Sequence, residues 1–311
     1  MNVVNAVPMP ISTIPPAEPS APHVPVLERE VIAALAPRSG GLYVDATLGA
    51  GGHTEAMLMA GAGHVIGLDR DPLALELSAA RLARFGDRVE LRHAAFGDLR
   101  RELDAMGVER VDGVLADLGV SSMQLDDPER GMSFRGAGPL DMRMNPEAGE
   151  TALELIERLD DDALTDLIAK LGEERRARRV ARCIKQAAEA GELTDTLALR
   201  RAIVRAVGPT RVGNVDPATR TFQALRIAVN QELGQLERLL GQIGDCLAPG
   251  GIVAIISFHS LEDRLVKRAF RGDPRLTVLT KKPIVATEDE VDDNPRARSA
   301  KLRVARYIGE H

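Results

Sequence analysis

From Val26 onward, short apolar runs alternate with helical stretches, the pattern of parallel strands joined by crossover helices. Runs at 42–46, 65–68, 89–91 and 111–115 read as the first four strands, each apolar enough to be covered on both faces. After the second, Asp71 can cap a helix, Pro72 fits its first turn, where a missing N–H costs nothing, and Gly86 can stop it. Leu73, Leu77 and Ala80 would be its inward face. The rhythm then breaks, because about 130 residues separate strand four from the next strand at 252–256. That stretch reads as helical: Thr151 and Glu154 have capping-box spacing, and amphipathic segments follow at 151–159, 161–190 and 195–207. Asp216-Pro217 opens a long helix in which Phe222, Leu225, Val229, Leu233, Leu236, Leu240, Ile243 and Leu247 step by three or four. Pro249-Gly250-Gly251 ends it, and runs at 276–279 and 302–308 complete the sheet. The expected fold is α/β, a doubly wound sheet interrupted between strands four and five by a small helical domain.

Residues 1–22 fall outside this pattern. They hold six prolines and one charged residue, Glu18, without an apolar core or basic start, and read as a disordered proline-rich tail rather than a secretory signal. Hydrophobic residues make up 44% of the 311 and charged residues 28%, and no run of eighteen apolar residues could cross a bilayer, so a soluble protein with no membrane partner is expected. Cys183 and Cys246 offer neither a disulfide framework nor a zinc set, which points to a reducing cytoplasm and to no metal. A net charge of -6 argues against an all-over basic binder, and no Trp with only two Tyr against an aromatic-rich reader of nucleic acid. Charge is instead local: 173–185 carries six basic side chains against two acids, and 294–306 five against none. Each is either a phosphate track or ordinary solvated surface.

Three segments carry chemistry. Gly49, Gly51 and Gly52 stand where strand one turns into a helix, so the backbone can turn tightly and approach a ligand; twenty residues after Gly49, Asp69 ends strand two, where an acid can accept both ribose hydroxyls. The alternative is a ligand-free turn with Asp69 as a cap. A dinucleotide loop wants a third small residue where Thr54 stands, and Asp45 precedes the loop, so a ligand with an ammonium group fits better than a pyrophosphate. S-adenosylmethionine meets these demands. His53 is either a ligand contact or a solvated first-turn residue. At the end of strand four, Asp117 lies at the switch point where ligands of open α/β sheets sit, followed by Ser121 and Ser122, each of which reads either as a site residue or as a helix cap. The stretch 124–146, rich in Gly and Met without helical period, reads as a lid. At the end of strand five, Ser260 and Asp263 can form a capping box, which leaves Phe258 and His259 to stack on a base or move a proton.

The segments Thr47-Leu-Gly-Ala-Gly-Gly-His53, Asp117-Leu-Gly-Val-Ser-Ser122, Gln124-Leu-Asp-Asp, Glu129-Arg-Gly, Asp141-Met-Arg, 217–226 (PATRTFQALR), 257–263 (SFHSLED) and 294–299 (NPRARS) together resemble the RsmH (MraW) family, over a match running from about His23 to Tyr307. The resemblance implies a class I (Rossmann-like) methyltransferase sheet with a helical insertion, and S-adenosyl-L-methionine-dependent methylation of a cytidine N4 amine in the 16S ribosomal RNA of the small subunit. It implies cofactor contacts at Gly51, Gly52, His53, Asp69, Phe96, Asp117 and Gln124; Phe96 carries no signal of its own in the sequence. The domains expected are 23–130 with 217–311 for methyl transfer and 131–216 for substrate recognition. Asp117 and His259 are the catalytic candidates, Phe134, Phe222 and Phe258 the candidates for stacking on an extruded base, and the helical insert a surface through which two copies could form a homodimer. Many amino-methyltransferases carry Pro-Pro-aromatic after the strand-four acid, where this chain has Leu-Gly-Val. The competing readings are an NAD-dependent oxidoreductase, an RNA-binding assembly factor without turnover, and a DNA amino-methyltransferase.

Overall fold

Seven strands form one sheet in the order β3-β2-β1-β4-β5-β7-β6. They are β1 (Leu42–Asp45), β2 (His64–Asp69), β3 (Val89–His93), β4 (Val111–Asp117), β5 (Leu247–Ser257), β6 (Leu276–Val278) and β7 (Lys301–Tyr307). Neighbours among the first five are parallel, and β7 runs antiparallel to both β5 and β6. This is the class I methyltransferase arrangement expected from the sequence. The structure is a computed structural model describing residues 25–209 and 216–309; the expected tail at 1–22 lies outside the described residues.

The period of two along each strand divides the apolar side chains between two cores. On one face Val44, Ile66, Val114 and Ile255 meet Leu99 and Leu103 of α4 (Leu99–Ala105), Leu236 and Ile243 of α11 (Glu232–Cys246) and Phe270 of α12 (Ser260–Gly272). On the other, Tyr43, Val65, Leu115 and Ala254 meet Val31 of α1 (Glu28–Leu35), Met57 of α2 (Gly52–Met59) and Leu82 of α3 (Pro72–Leu82). Burial on both faces explains why these strands read as continuous apolar runs. Asp71 caps α3 as expected, accepting from the Leu73 N–H at 3.1 Å. The inward face of α3 differs from expectation: Leu73 and Leu77 are 38% and 41% exposed, while Ala74, Ser78 and Leu82 are buried. The face turned inward is the one that meets the glycine turn, where Gly51 lies directly against Ser78 and Leu82.

A third core belongs to the helices between β4 and β5: α5 (Ser122–Asp126), α6 (Ala152–Arg158), α7 (Asp161–Gly172), α8 (Ala177–Glu189), α9 (Thr196–Val207) and α10 (Thr219–Asn230). The capping box of Thr151 and Glu154 forms. Two expected continuous helices are broken. The segment 161–190 divides at Glu173, held at φ 49° with its carboxylate engaged by Ser260 and Arg264 on α12. The long helix after Asp216-Pro217 divides at Gln231, φ 51°, because its stripe serves two cores: Phe222 and Leu225 pack with the helices, Leu236, Leu240 and Ile243 with the sheet. The helical core thus extends through α10, beyond the expected boundary at 216.

Asn230, 5% exposed, ties that junction to the loop after β4. Its Nδ2 donates to the Met142 and Arg226 carbonyls at 2.7 and 2.9 Å, and its Oδ1 accepts from the Met144 N–H at 2.7 Å. Met142, itself at φ 62° and fully buried, is held in that conformation by these bonds. Asn230→Ala leaves a buried carbonyl and a buried N–H unpaired, and should cost about 3 kcal/mol in urea unfolding; a loss under about 1 kcal/mol would mean that the loop is held elsewhere.

Candidate active site

The carboxyl ends of the parallel strands open into a cavity of about 430 Å³, within the range of small-molecule sites. Gly52, His53, Asp69, Phe96, Asp117 and Gln124 line it; Gly51 and His259 do not. Gly51, at φ 78°, instead packs the turn onto α3, where a Cβ would sit 3.1 Å from Leu82. A Cβ on Gly52 would sit 2.7 Å from Pro25 Cγ, so the turn closes only with glycine there.

Asp69 ends β2 with its carboxylate fixed. Its Oδ2 accepts from the Gly49 N–H at 2.8 Å and its Oδ1 from the Asp71 N–H at 2.9 Å, which leaves further acceptor capacity on both oxygens. Burial raises its pKa to about 6 against these bonds, so a ligand bringing hydroxyl donors meets an under-solvated acceptor.

At the other functional end, the Asp117 N–H donates to Thr47 Oγ1 at 2.6 Å, joining the end of β4 to the glycine turn. One carboxylate oxygen, Oδ1, is buried without a hydrogen-bond partner; the other lies 3.6 Å from His53 Nε2. His53 is 6% exposed and neither ring nitrogen has a hydrogen bond, so it is not a solvated first-turn residue. Burial opposes a charge on the ring, but Asp117, helped by Asp45 and Glu28, outweighs it and holds the imidazole above its ordinary pKa. Asp45 is buried beneath the turn, accepting from Thr54 Oγ1 at 2.8 Å, and burial holds its pKa up. That bond gives Thr54 a reason to stand where dinucleotide loops carry a small residue. Asp45 is a buried support rather than the ammonium acceptor the sequence suggested.

Gln124 faces the cavity with its amide already engaged. Its Oε1 accepts from the Ser121 N–H at 3.1 Å, the Ser121 hydroxyl caps α5 in return, and its Nε2 donates to Asp71 Oδ2 at 2.8 Å. Arg130 joins the same carboxylate at 2.9 Å and donates to the Met144 carbonyl at 2.6 Å. The loop after β4 is therefore latched to the loop that carries Asp69.

The end of β5 differs from expectation. His259, not Ser260, caps α12: its Nδ1 accepts from the Glu262 N–H at 3.4 Å, and Glu262 Oε2 accepts from the Phe258 and His259 N–H groups. Ser260 instead bonds Glu173, and Asp263 holds the buried Arg303 guanidinium at 2.6 Å. With Nδ1 accepting, the ring proton belongs on Nε2, which is 3.2 Å from Glu262 Oε1. The cap fixes Phe258, which lines the cavity. Phe222 is buried edge-on against Phe134, with ring centroids 4.8 Å apart, and is withdrawn from stacking on a ligand. Arg70 and Glu232 also line the cavity and gave no sequence signal beyond Arg70 following Asp69, and Glu262, inside the 257–263 segment, lines it too. Glu232 is paired with Arg226 across the Gln231 bend at 2.8 Å, one charge on each helix, which fixes the bend.

The two basic runs part company. On α8, Arg178, Arg179 and Arg182 are exposed opposite the buried Val180, Ala181 and Ile184. In the later run Arg303 is internal, Arg296 is paired with Asp126 at 2.8 Å and Lys301 lies near Asp263, so it offers no continuous track. No helix among the described residues is long and apolar enough to cross a membrane.

The profile of the MraW methylase family matches residues 20–308. A protein of Sorangium cellulosum named ribosomal RNA small subunit methyltransferase H is 65% identical over 309 residues, covering 99% of this chain and 98% of that protein. Proteins of the same name from Synechococcus elongatus and Nitratidesulfovibrio vulgaris are 51% and 48% identical, covering 92% and 93% of this chain and 95% and 96% of their own lengths.

Proposed function

Because this chain belongs to the MraW methylase family, we propose that it transfers a methyl group from S-adenosyl-L-methionine to the N4 amine of a specific cytidine in the 16S ribosomal RNA of the small subunit, in the cytoplasm. The observation that carries this reading is the Asp117 carboxylate at the end of β4, with Oδ1 buried and unpartnered in the cavity that also holds Asp69. The residues fit the methyl donor. Asp69 would take the ribose hydroxyls, Phe96 would flank the adenine, and the turn at Gly52 and His53 with Asp117 and Gln124 would enclose the methionine end. The donor supplies an electrophilic methyl on a sulfonium, and such a cation is tolerated beside Asp117.

A cytosine N4 amine is a weak nucleophile because its lone pair is conjugated with the ring. Asp117 would accept a hydrogen from that amine, favour its pyramidal form and aim the lone pair at the methyl carbon; the proton leaves to the carboxylate as the N–C bond forms. Alignment supplies most of the acceleration and general-base assistance the remainder. His259 would act as a positioning residue: through its cap with Glu262 it holds Phe258, which would stack on the extruded cytosine.

The helical insertion, expected at 131–216, would present the RNA-binding surface. Replacing Arg178, Arg179 and Arg182 together by Gln should reduce the dependence of log K on log salt by about 2 to 3 and weaken RNA binding about tenfold or more at low salt, with affinity for S-adenosylmethionine unchanged. An unchanged slope would remove α8 from the interface. The reading itself is tested by offering methyl-labelled S-adenosylmethionine with small subunits lacking the modification, naked 16S RNA or DNA. Label in ribosomal RNA is expected; label in DNA alone would keep the fold and discard the substrate, and no transfer would leave an RNA-binding assembly factor.

A further inference from the structure

His53 sits in an arrangement that methyl transfer as written above does not use. Both ring nitrogens are buried without a hydrogen bond, and the groups facing it are acidic: Asp117 on β4 at 3.6 Å, Asp45 on β1, and Glu28 on α1. The nearest cation on the neighbouring helix, Arg81 of α3, lines the same cavity but is committed to Glu55 at 2.6 Å. The buried Asp45 and the partly buried Asp117 thus flank one buried titratable base, with the partly exposed Glu28 adding to the negative field. Such an enclosure favours one positive charge and resists a second, because two cations a few ångströms apart repel strongly where water is excluded.

We propose that His53 is a positioning residue that carries the enclosure's positive charge in the free protein and surrenders its proton when the sulfonium of S-adenosylmethionine enters. This rests on the reading that the cavity binds that donor. The charge then circulates. In the donor complex the sulfonium is the cation and His53 is neutral. The N4 lone pair forms the new N–C bond, the electron pair of the broken S–C bond stays on sulfur as a neutral thioether, and the N4 proton passes to Asp117. Neutral His53, 3.6 Å from Asp117, takes that proton and is again the cation. Its presence would keep Asp117 ionised when the donor is absent, and its neutral form would clear Asp117 of the proton after each transfer.

The exchange of charge is read in equilibrium binding and needs no turnover. S-adenosylmethionine and S-adenosylhomocysteine share adenosine and amino acid groups and differ by the charged methyl sulfonium, so titration of Asp69 affects both alike. The ratio of their Kd values should therefore rise on acidification, by up to about tenfold per pH unit across the titration of His53, and calorimetry in buffers of different ionisation enthalpy should show up to about one more proton released by S-adenosylmethionine. In His53→Gln the ratio should be flat with pH. Should the glutamine variant fail to fold, His53→Asn and the proton count of the wild-type protein carry the test. A ratio independent of pH between about 5.5 and 8.5 in the wild-type protein, with both ligands bound, would overturn the inference alone. Persistence of the pH-dependent ratio in a folded His53 variant would overturn it in favour of another titrating group, and absence of binding by either ligand would defeat the functional reading on which it rests.

Discussion

Asp117→Asn should lower kcat by about 10³-fold while leaving the Kd for S-adenosylmethionine within about tenfold of wild type. The side chain keeps its size, and the Asp117 backbone bond to Thr47 does not depend on the carboxylate. What is lost is the acceptor: an amide has one oxygen, carries no negative charge and offers an N–H where the cytosine amine also presents one. The unpartnered position of Oδ1 makes this loss specific to the substrate, since no internal hydrogen bond of that atom is broken by the change. Single-turnover rates and ligand titration on the same preparation separate the two quantities. Equal losses in rate and donor affinity would reduce Asp117 to a binding residue.

Asp69→Ala should have the complementary signature, raising the Kd for S-adenosylmethionine and S-adenosylhomocysteine alike by about 10² to 10³-fold. Two charge-assisted bonds to ribose hydroxyls would disappear, and the Gly49 N–H that Asp69 now accepts would lose its partner, loosening the glycine turn. At saturating donor, kcat should fall far less than in Asp117→Asn. The pKa of about 6 fixes the sign of the pH effect: a ribose hydroxyl donates to the ionised carboxylate, so affinity for both ligands should weaken as pH falls through about 6 and level off above it. In the free protein the same elevation acts in the opposite sense on stability, because the folded state holds a proton that the unfolded chain has released. Stability from this residue is lost as pH rises from about 4 to about 6, and Asp69→Asn should abolish that decline. Thermal unfolding of the ligand-free protein across that interval checks it.

The sheet was legible because its strands are short, apolar and separated by strong turn chemistry, as with Asp71 and Pro72 opening α3 and the glycines closing β1. The helix breaks at Glu173 and Gln231 were not, because periodicity reports that a face is apolar without saying which core it enters. The stripe from Phe222 to Leu247 is continuous in sequence yet serves two cores, and only tertiary contacts decide that Gln231 must turn. The same limitation placed Leu73 and Leu77 inward, whereas the turn at Gly51 packs against Ser78 and Leu82 and it is these, with Ala74, that are buried. In the site, Asp69 and Asp117 announced themselves by their positions at strand ends. Phe96 came from family resemblance alone, since a half-buried aromatic after a third strand has no distinguishing spacing. His259 looked like a chemical residue because Ser260 and Asp263 offered a plausible cap, whereas the histidine itself supplies the cap and the other two bond across to Glu173 and Arg303. Arg70 and Glu232 reach the cavity from chain positions 162 apart, which no local pattern connects.

The proposed role of Asp117 is to direct a donor's methyl to an exocyclic amine of cytosine in ribosomal RNA. Its most direct test is digestion of the methylated small-subunit RNA to nucleosides, with the labelled product identified by mass and chromatographic comparison with standards. Label is expected in an N4-methylated cytidine derivative and should be lost in Asp117→Asn; label on a ring carbon, on a ribose oxygen or on another base would rule this role out.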